Sequence, residues 1–247
     1  MARLHSLEGF VATRNMLQAI GLLFGDIAKQ NGIKHPRWHH MSLSVHPDGF
    51  ASVNIPLPSG GIASLRLDFQ QHKIVIITSM GFEKELDLLA GFSFTEISGS
   101  VTSTMHDLGL SGDFSNTPAN SQQGVYNPEM AAAFFCTIVE IDRLFQTHLA
   151  SIDSNNAVHL WPHGFDLSCE WYSSRLEEWK QNDKVEKIPA QLNLGFYPGM
   201  KNSDSYFYSN PWPFDRKQLL DQELSNGAKW HTRGWQGAKL PFIVSAR

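Results

Sequence analysis

The stretch that decides the fold is Met41-Ser42-Leu43-Ser44-Val45-His46-Pro47-Asp48-Gly49-Phe50. Every second residue before Pro47 is apolar and the residues between them are polar, which is the period of a strand with one buried face. Pro47 fits the second position of a turn and Gly49 the left-handed fourth, so we expect a type I turn with a bulge. The stretch therefore predicts a hairpin with strands at 39–46 and 50–56.

Other segments of the chain repeat this strand pattern. Apolar residues alternate over 62–69, and Ile74-Val75-Ile76-Ile77 is a β-branched run of the kind that strands favour. Alternation and flanking turn residues predict six further strands, at 62–69, 73–79, 157–161, 165–172, 190–197 and 204–209. A strand-like segment at 240–244 ends the chain.

Helices are predicted where apolar residues recur at helical spacing between capping residues. Ser93 and Glu96 form a capping box before an apolar stripe. Asn127 is a favourable N-cap, and Pro128 suits the first helical position. These signals predict four helices, at 8–31, 93–108, 128–150 and 215–225.

The order of these elements predicts an α+β fold of antiparallel sheets covered by helices. Helix, hairpin, strands and helix occur once in 8–109 and again in 128–226, and both hairpin tips contain Pro-x-Gly-Phe. We interpret the chain as a single domain, 1–247, with these two segments as halves of an internal pseudo-duplication. The alternative remains open that Pro-x-Gly is simply a common turn.

Composition limits the classes of partner and compartment. The formal net charge is −4 and charged residues make up 18% of the chain, so nothing indicates the basic surface of a nucleic-acid-binding protein. The chain shows no secretory signal and no run of about 18 apolar residues that would predict a membrane span. Cys136 and Cys169 read as separate reduced thiols. We expect a cytoplasmic protein that contacts neither nucleic acid nor membrane.

Several motifs in order resemble one known family. They are Trp38-His39-His40, Tyr126-Asn127-Pro128-Glu129, Asp142-Arg143-Leu144-Phe145, Val158-His159 with Phe165-Asp166-Leu167, Gly195-Phe196-Tyr197-Pro198-Gly199, Tyr206-Phe207-Tyr208 and Leu240-Pro241-Phe242. Together they resemble an uncharacterised bacterial family, domain-of-unknown-function family 5996. The resemblance spans most of the chain and implies kinship without a known activity. Residues 225–238 look inserted, and relatives are expected to add a further helix after the position of Arg247.

The second hairpin, residues 158–167, holds the densest group of polar and aromatic side chains. Because Pro162 fixes its φ near −65°, we expect a three-residue loop that places Trp161 opposite Phe165. In that register His159 and Trp161 face the interior, Asp166 points to the other face, and His163 is exposed at the tip. The two histidines are therefore a poor pair of metal ligands, and no metal or cofactor is predicted.

Six residues are predicted to bind a ligand, and two of the hairpin residues are candidate catalytic groups. His159 is either a core histidine or the floor of a pocket, and Asp166 is either structurally paired or an acid or base with a shifted pKa. His40 is expected on the polar face of the first strand. The tyrosines of the 204–209 strand share one face, and Trp212 lies between two prolines. The predicted ligand-binding residues are His40, His159, Trp161, Tyr206, Tyr208 and Trp212.

Three functions fit these residues. The favoured one is binding of a small molecule in an aromatic pocket that contains histidine. The second is a hydrolase or lyase in which His159 or Asp166 acts as general acid or base, with or without a metal ion. The third is a structural or interaction module whose aromatic strand forms the interface. The chain contains no Gly-x-Ser-x-Gly, no phosphate-binding glycine loop and no dinucleotide fingerprint.

Overall fold

The computed structural model describes residue 7 and residues 9–114, 124–181 and 184–242. The chain folds as two compact units, the first made of 1–140 and 159–166, the second of 141–158 and 167–247. Antiparallel strands and α-helices build both units, so the predicted α+β class is confirmed. The units are not the predicted halves, because the division falls at residue 140 rather than between 109 and 128. The pseudo-duplication stays a prediction.

The sheet of the first unit has strands paired in the order β7-β1-β2-β4-β5-β6, with β3 beside β4. All of these pairs are antiparallel. The sequence predicted neither β6 nor the break between β2 and β3. The strands are β1 (Leu43–His46), β2 (Gly49–Ser52), β3 (Ile55–Pro56), β4 (Ile62–Asp68), β5 (Lys73–Thr78), β6 (Glu83–Asp87) and β7 (Val158–Trp161).

Three predicted helices are confirmed with small shifts at their ends: α1 (Val11–Asn31), α2 (Phe94–Asp107) and α3 (Pro128–Ser151). The Ser93–Glu96 capping box begins α2, and the Asn127 side chain accepts the Met130 N–H at the start of α3. These bonds satisfy amide groups that the first helical turn leaves without partners.

Aromatic rings fill the core of the first unit. The Phe134 ring stacks on Phe10, with 4.5 Å between centroids, and on Phe165 at 5.4 Å. Phe50 meets Phe134 edge-to-face at 6.1 Å. Phe10 is 2% exposed, and Phe50, Phe134 and Phe165 are fully buried, so this cluster supplies a large share of the buried apolar area.

The first hairpin is tighter than predicted. His46 pairs directly with Gly49, so only Pro47 and Asp48 form the turn, and the predicted bulge is wrong. Gly49 does not have the positive φ that was expected of it. A Cβ at Gly49 would overlap the Leu67 carbonyl oxygen. The glycine is required by this close approach to β4 and not by a left-handed turn.

The sheet of the second unit has strands in the order β8-β9-β10-β12-β11. β8 and β9 run much longer than predicted, with a register irregularity between Tyr172 and Leu176. The predicted helix at 215–225 is a single turn, and β11 was not predicted. The elements are β8 (Asp166–Gln181), β9 (Lys184–Tyr197), β10 (Tyr206–Trp212), α4 (Arg216–Leu219), β11 (Lys229–His231) and β12 (Gly237–Pro241). In the described segments no helix has the length and apolarity needed to cross a membrane.

Candidate functional site

The turn of the second hairpin is one residue longer than the sequence predicted. The Phe165 N–H donates to the Trp161 carbonyl at 2.7 Å, and Phe165 itself adopts a left-handed φ of 56°. The predicted three-residue loop with Trp161 opposite Phe165 is therefore wrong. The left-handed residue turns the Phe165 ring into the core, where it is fully buried.

The buried face of β7 is the opposite of the one that the sequence predicted. Val158 and Leu160 are the buried residues of the strand, while His159 and Trp161 are half-buried on the other face. The prediction that His159 and Trp161 face the interior is wrong, because the aliphatic side chains occupy the core face and leave the amphipathic rings outside. The exposed position of His163 is confirmed.

A continuous series of rings lies on this outer face. His35 stacks on His39, and the His39 ring is tilted by 40° against that of His159, each pair with 4.2 Å between centroids. Trp161 follows at 5.4 Å from His159, and His163 lies 6.1 Å beyond Trp161. We call these five residues the ring stack. The sequence did not single out His39 as a ligand-binding residue, although its spacing of four from His35 was a usable signal.

The hydrogen bonds of Ser42 set the tautomer of the neutral His159 ring. The Ser42 hydroxyl lies 2.8 Å from the His39 carbonyl oxygen and 2.8 Å from His159 Nδ1. A hydroxyl has one hydrogen, and the carbonyl can only accept it. His159 Nδ1 therefore carries a hydrogen and donates to Ser42 Oγ, which leaves a lone pair on His159 Nε2.

His159 stays neutral at physiological pH. Burial lowers its pKa to about 4, with smaller contributions from the nearby His39 and His35. A base with a pKa of about 4 is poorly matched to proton abstraction near pH 7. Its Nε2 is better suited to accept a hydrogen bond than to remove a proton.

His40 follows His39 of the ring stack directly in the sequence, and its ring lies 5.7 Å from that of Trp38. It belongs to a 3₁₀ turn at His39–Met41 and is 4% exposed, so its predicted place on the polar face of a strand is wrong. Its Nδ1 accepts the His35 N–H at 3.1 Å, and the ring hydrogen of the neutral imidazole must then be on Nε2. That Nε2 is buried and has no hydrogen-bond partner among the residues described.

Positive charge surrounds His40. Burial is the largest cause that lowers its pKa, followed by Lys34, His35 and Lys29. The Lys34 ammonium donates to the Lys29 carbonyl, and the Lys29 ammonium lies 5.9 Å from the centre of the Trp38 ring. His40 is therefore a neutral, buried N–H donor in cationic surroundings.

A cleft of about 220 Å³ lies in the first unit. Met41 and Pro162 in its wall follow His40 and Trp161 directly in the sequence. Its polar side chains include the Asp26 carboxylate and the Lys29 ammonium. The lining residues are Leu22, Leu23, Gly25, Asp26, Lys29, Met41, Phe114 and Pro162.

Two buried side chains of α1 hold the hairpin turn in place. The Arg14 guanidinium donates to the Gly164 carbonyl at 3.0 Å. The Gln18 amide donates to the carbonyls of His163 at 2.9 Å and Pro162 at 3.2 Å. Because buried carbonyls need donors, these bonds fix the turn that carries the end of the ring stack.

Asp166 is the first residue of β8 and is half-buried beside the turn. Its Oδ1 occupies the space that a side chain at Gly164 would need. Its structural pairing and its catalytic role both stay predictions. Cys169 is a buried thiol whose pKa burial raises to about 11. No group of three or more His, Cys, Asp or Glu in the described ranges is arranged to hold a metal ion.

The other predicted ligand-binding residues belong to the second unit. Tyr206 pairs with Tyr197, Tyr208 with Gly195 and Trp212 with Gln191, so all three lie on one face of the sheet. The spacing predicted the shared face of Tyr206 and Tyr208, whereas Trp212 lay outside the predicted strand at 204–209. Phe207 lies on the opposite face, packed against Phe196 at 5.2 Å and Phe242 at 6.0 Å. The six predicted residues thus form two groups, each within its own unit.

Comparison with known proteins gives a family but no activity. A family model described as "Family of unknown function (DUF5996)" matches residues 3–242. No curated protein and no solved structure matches the chain. The matched range covers nearly the whole sequence and includes both the ring stack and the aromatic face of the second unit. The chain therefore belongs to the DUF5996 family of unknown function.

Proposed function

We propose that this protein binds a small aromatic carboxylate at the ring stack and His40 of the first unit. The observation that carries the proposal is the buried Nε2 of His40, which has no hydrogen-bond partner in the described residues. An unpaired buried donor costs roughly 1–3 kcal/mol. A ligand oxygen that accepts this hydrogen would recover that free energy on binding.

The charges near His40 favour an anionic acceptor. Lys34 and Lys29 both lower the His40 pKa, which means that their positive potential reaches this imidazole. A ligand carboxylate placed at His40 Nε2 would interact favourably with both lysines and with the N–H donor.

The side chains of the ring stack favour a ligand that is itself aromatic. Trp161 and the imidazoles of His35, His39 and His159 offer flat surfaces with 4.2–5.4 Å between successive centroids. A planar ligand gains stacking energy there beyond the burial of its area.

Benzoate and benzamide form a matched pair of probes for this proposal. Binding is measured by tryptophan fluorescence and calorimetry, with melting curves to confirm that each variant is folded. We expect benzoate to bind and benzamide to bind much more weakly, because only benzoate carries the charge. His40→Phe and Trp161→Ala should weaken benzoate binding, whereas His148→Ala on α3, in the second unit, should not.

Two results would contradict the proposal. One is failure of benzoate to bind at millimolar concentration. The other is binding that survives in folded His40→Phe with unchanged affinity. If benzamide binds as tightly as benzoate, the site recognises the ring alone and the anionic class is wrong.

The geometry supports binding over acid–base catalysis. Ser42 is 3% exposed and its hydrogen is directed to the His39 carbonyl, so its pairing with His159 does not make an accessible nucleophile. His159, with a pKa of about 4, is a weak base. A hydrolase or lyase at this site would need a different group to move the proton.

A further inference from the structure

Two asparagines of the second unit face each other across neighbouring strands. Asn193 in β9 pairs directly with Asn210 in β10. The side-chain oxygen of each is buried and has no hydrogen-bond partner in the part of the chain that the structure describes. Both belong to the sheet face that carries Tyr206, Tyr208 and Trp212.

An unsatisfied pair of this kind calls for an explanation. Buried polar atoms in folded proteins almost always have partners, and apolar side chains at these two positions would avoid the cost. Local rules of folding are most often broken where a site requires it. We propose that Asn193 and Asn210 form the base-recognition element of a site for a mononucleotide.

Aromatic side chains flank the asparagine pair on both sides. The preceding rung joins Tyr208 to Gly195, and the following rung joins Trp212 to Gln191. A Cβ at Gly195 would overlap the Tyr208 phenol, so the Tyr208 ring lies across β9 over the glycine. Two polar amides between aromatic rungs fit a planar ligand with a polar edge.

The carboxamide group defines the class of planar ligand. It presents an acceptor and a donor in one plane, which pair in a bidentate manner with the edge of a nucleobase, as Asn does with adenine. Stacking on aromatic rings adds affinity with little dependence on the base. A simple aromatic ring would leave the two side-chain oxygens unpaired, so the ligand carries N–H donors, as a nucleobase does.

Charge on this face orients the rest of the ligand. Lys239 pairs with Tyr208 and also with Lys229, so both lysines belong to this face of the sheet. The Lys239 ammonium lies 3.8 Å from the centre of the Tyr206 ring. Glu170 pairs with Asn193 on the opposite side. A phosphate is therefore expected towards the lysines and away from the carboxylate.

Calorimetry with three probes tests the site: AMP, adenosine and ribose 5-phosphate. We expect AMP to bind the full chain more tightly than either fragment. Asn210→Ala and Asn193→Ala should each weaken AMP binding about 10- to 100-fold, the effect of losing a bidentate base contact. Asn202→Ala, at an exposed residue outside the strands, should leave the affinity unchanged.

The unfolding midpoint without nucleotide provides a second readout. If the asparagines are kept for binding, Asn193→Leu and Asn210→Leu should raise the midpoint by about 2–4 °C each while abolishing AMP binding. A lowered midpoint in both variants would mean that the amides are structural, which would overturn the proposal. So would equal binding of ribose 5-phosphate and AMP, or no AMP binding at millimolar concentration.

Discussion

Ser42 and His159 are joined by a hydrogen bond of 2.8 Å that places the imidazole hydrogen on Nδ1. His159 lies in β7, and Ser42 directly precedes β1, the strand that pairs with β7. Each of the two side chains is oriented by its own neighbours. Ser42 is held by its bond to the His39 carbonyl, and His159 by the rings on either side. The bond makes the tautomer of the His159 ring depend on a single buried hydroxyl.

Replacement of Ser42 by Ala should remove the hydrogen bond that holds the His159 ring in one tautomer. His159 Nδ1 would lose its acceptor, and both neutral tautomers would be populated. The ¹⁵N shifts of the His159 ring should move from one tautomer towards an average. Ser42→Thr keeps a hydroxyl and serves as control. An unchanged tautomer in Ser42→Ala would show that some other group holds the hydrogen on Nδ1.

His159 should make stability depend on pH. Its pKa falls to about 4 in the folded chain, against about 6.5 when unfolded. Between these values the unfolded state binds more protons, so the free energy of unfolding falls as the pH drops from 6.5 to 4. Denaturant unfolding of His159→Gln should show a smaller loss over this window than the parent. Equal pH dependence in the two proteins would refute the shift.

Replacement of the buried Gln18 should lower the free energy of unfolding more than replacement of an exposed glutamine on the same helix. Gln18→Leu leaves two turn carbonyls without their donor, at a cost of roughly 1–3 kcal/mol in the free energy of unfolding. The matched control is Gln30→Leu on the same helix, where the side chain bonds at the surface. Chemical denaturation of both variants measures the difference, and similar losses would mean that Gln18 does not support the turn.

Two helical glycines should respond to alanine in opposite directions. A Cβ at Gly25 of α1 would lie 2.8 Å from the Met41 carbonyl oxygen, whereas nothing lies within 4 Å of one at Gly99 in α2. Gly99→Ala should stabilise the protein by about 1 kcal/mol through helix propensity. Gly25→Ala should destabilise it, because backbone must move. Thermal unfolding decides the sign, and a stabilising Gly25→Ala would contradict the close approach.

The sequence predicted helices and strands where period and capping agreed. The Ser93–Glu96 capping box and the Asn127–Pro128 start are local signals, and both are present in the structure. The predictions of the two hairpin turns were wrong, because the conformation of each turn depends on contacts with residues far from it in the sequence. Gly49 is fixed by the Leu67 carbonyl and Phe165 by the aromatic core, and neither contact is visible in the local sequence.

The sequence predicted only part of the candidate site, because its other contacts also join residues far apart in the sequence. Trp161 and His159 were found as one group because they lie two residues apart. His39 joins them only through the fold, since it reaches His159 from 120 positions away in the sequence. The lone pair on His159 Nε2 and the unpaired donor on His40 depend on Ser42 and the His35 amide, which no spacing rule connects.

The most direct test of the central claim is a ¹⁵N and ¹H NMR titration of the histidine rings with benzoate. A carboxylate at the site should shift the His40 Nε2–H resonance downfield and raise the pKa of His159 above its starting value of about 4. His148, which belongs to the second unit, should not respond. If the His40 and His159 resonances stay unchanged at millimolar benzoate, the ring stack is not a ligand site and the account is wrong.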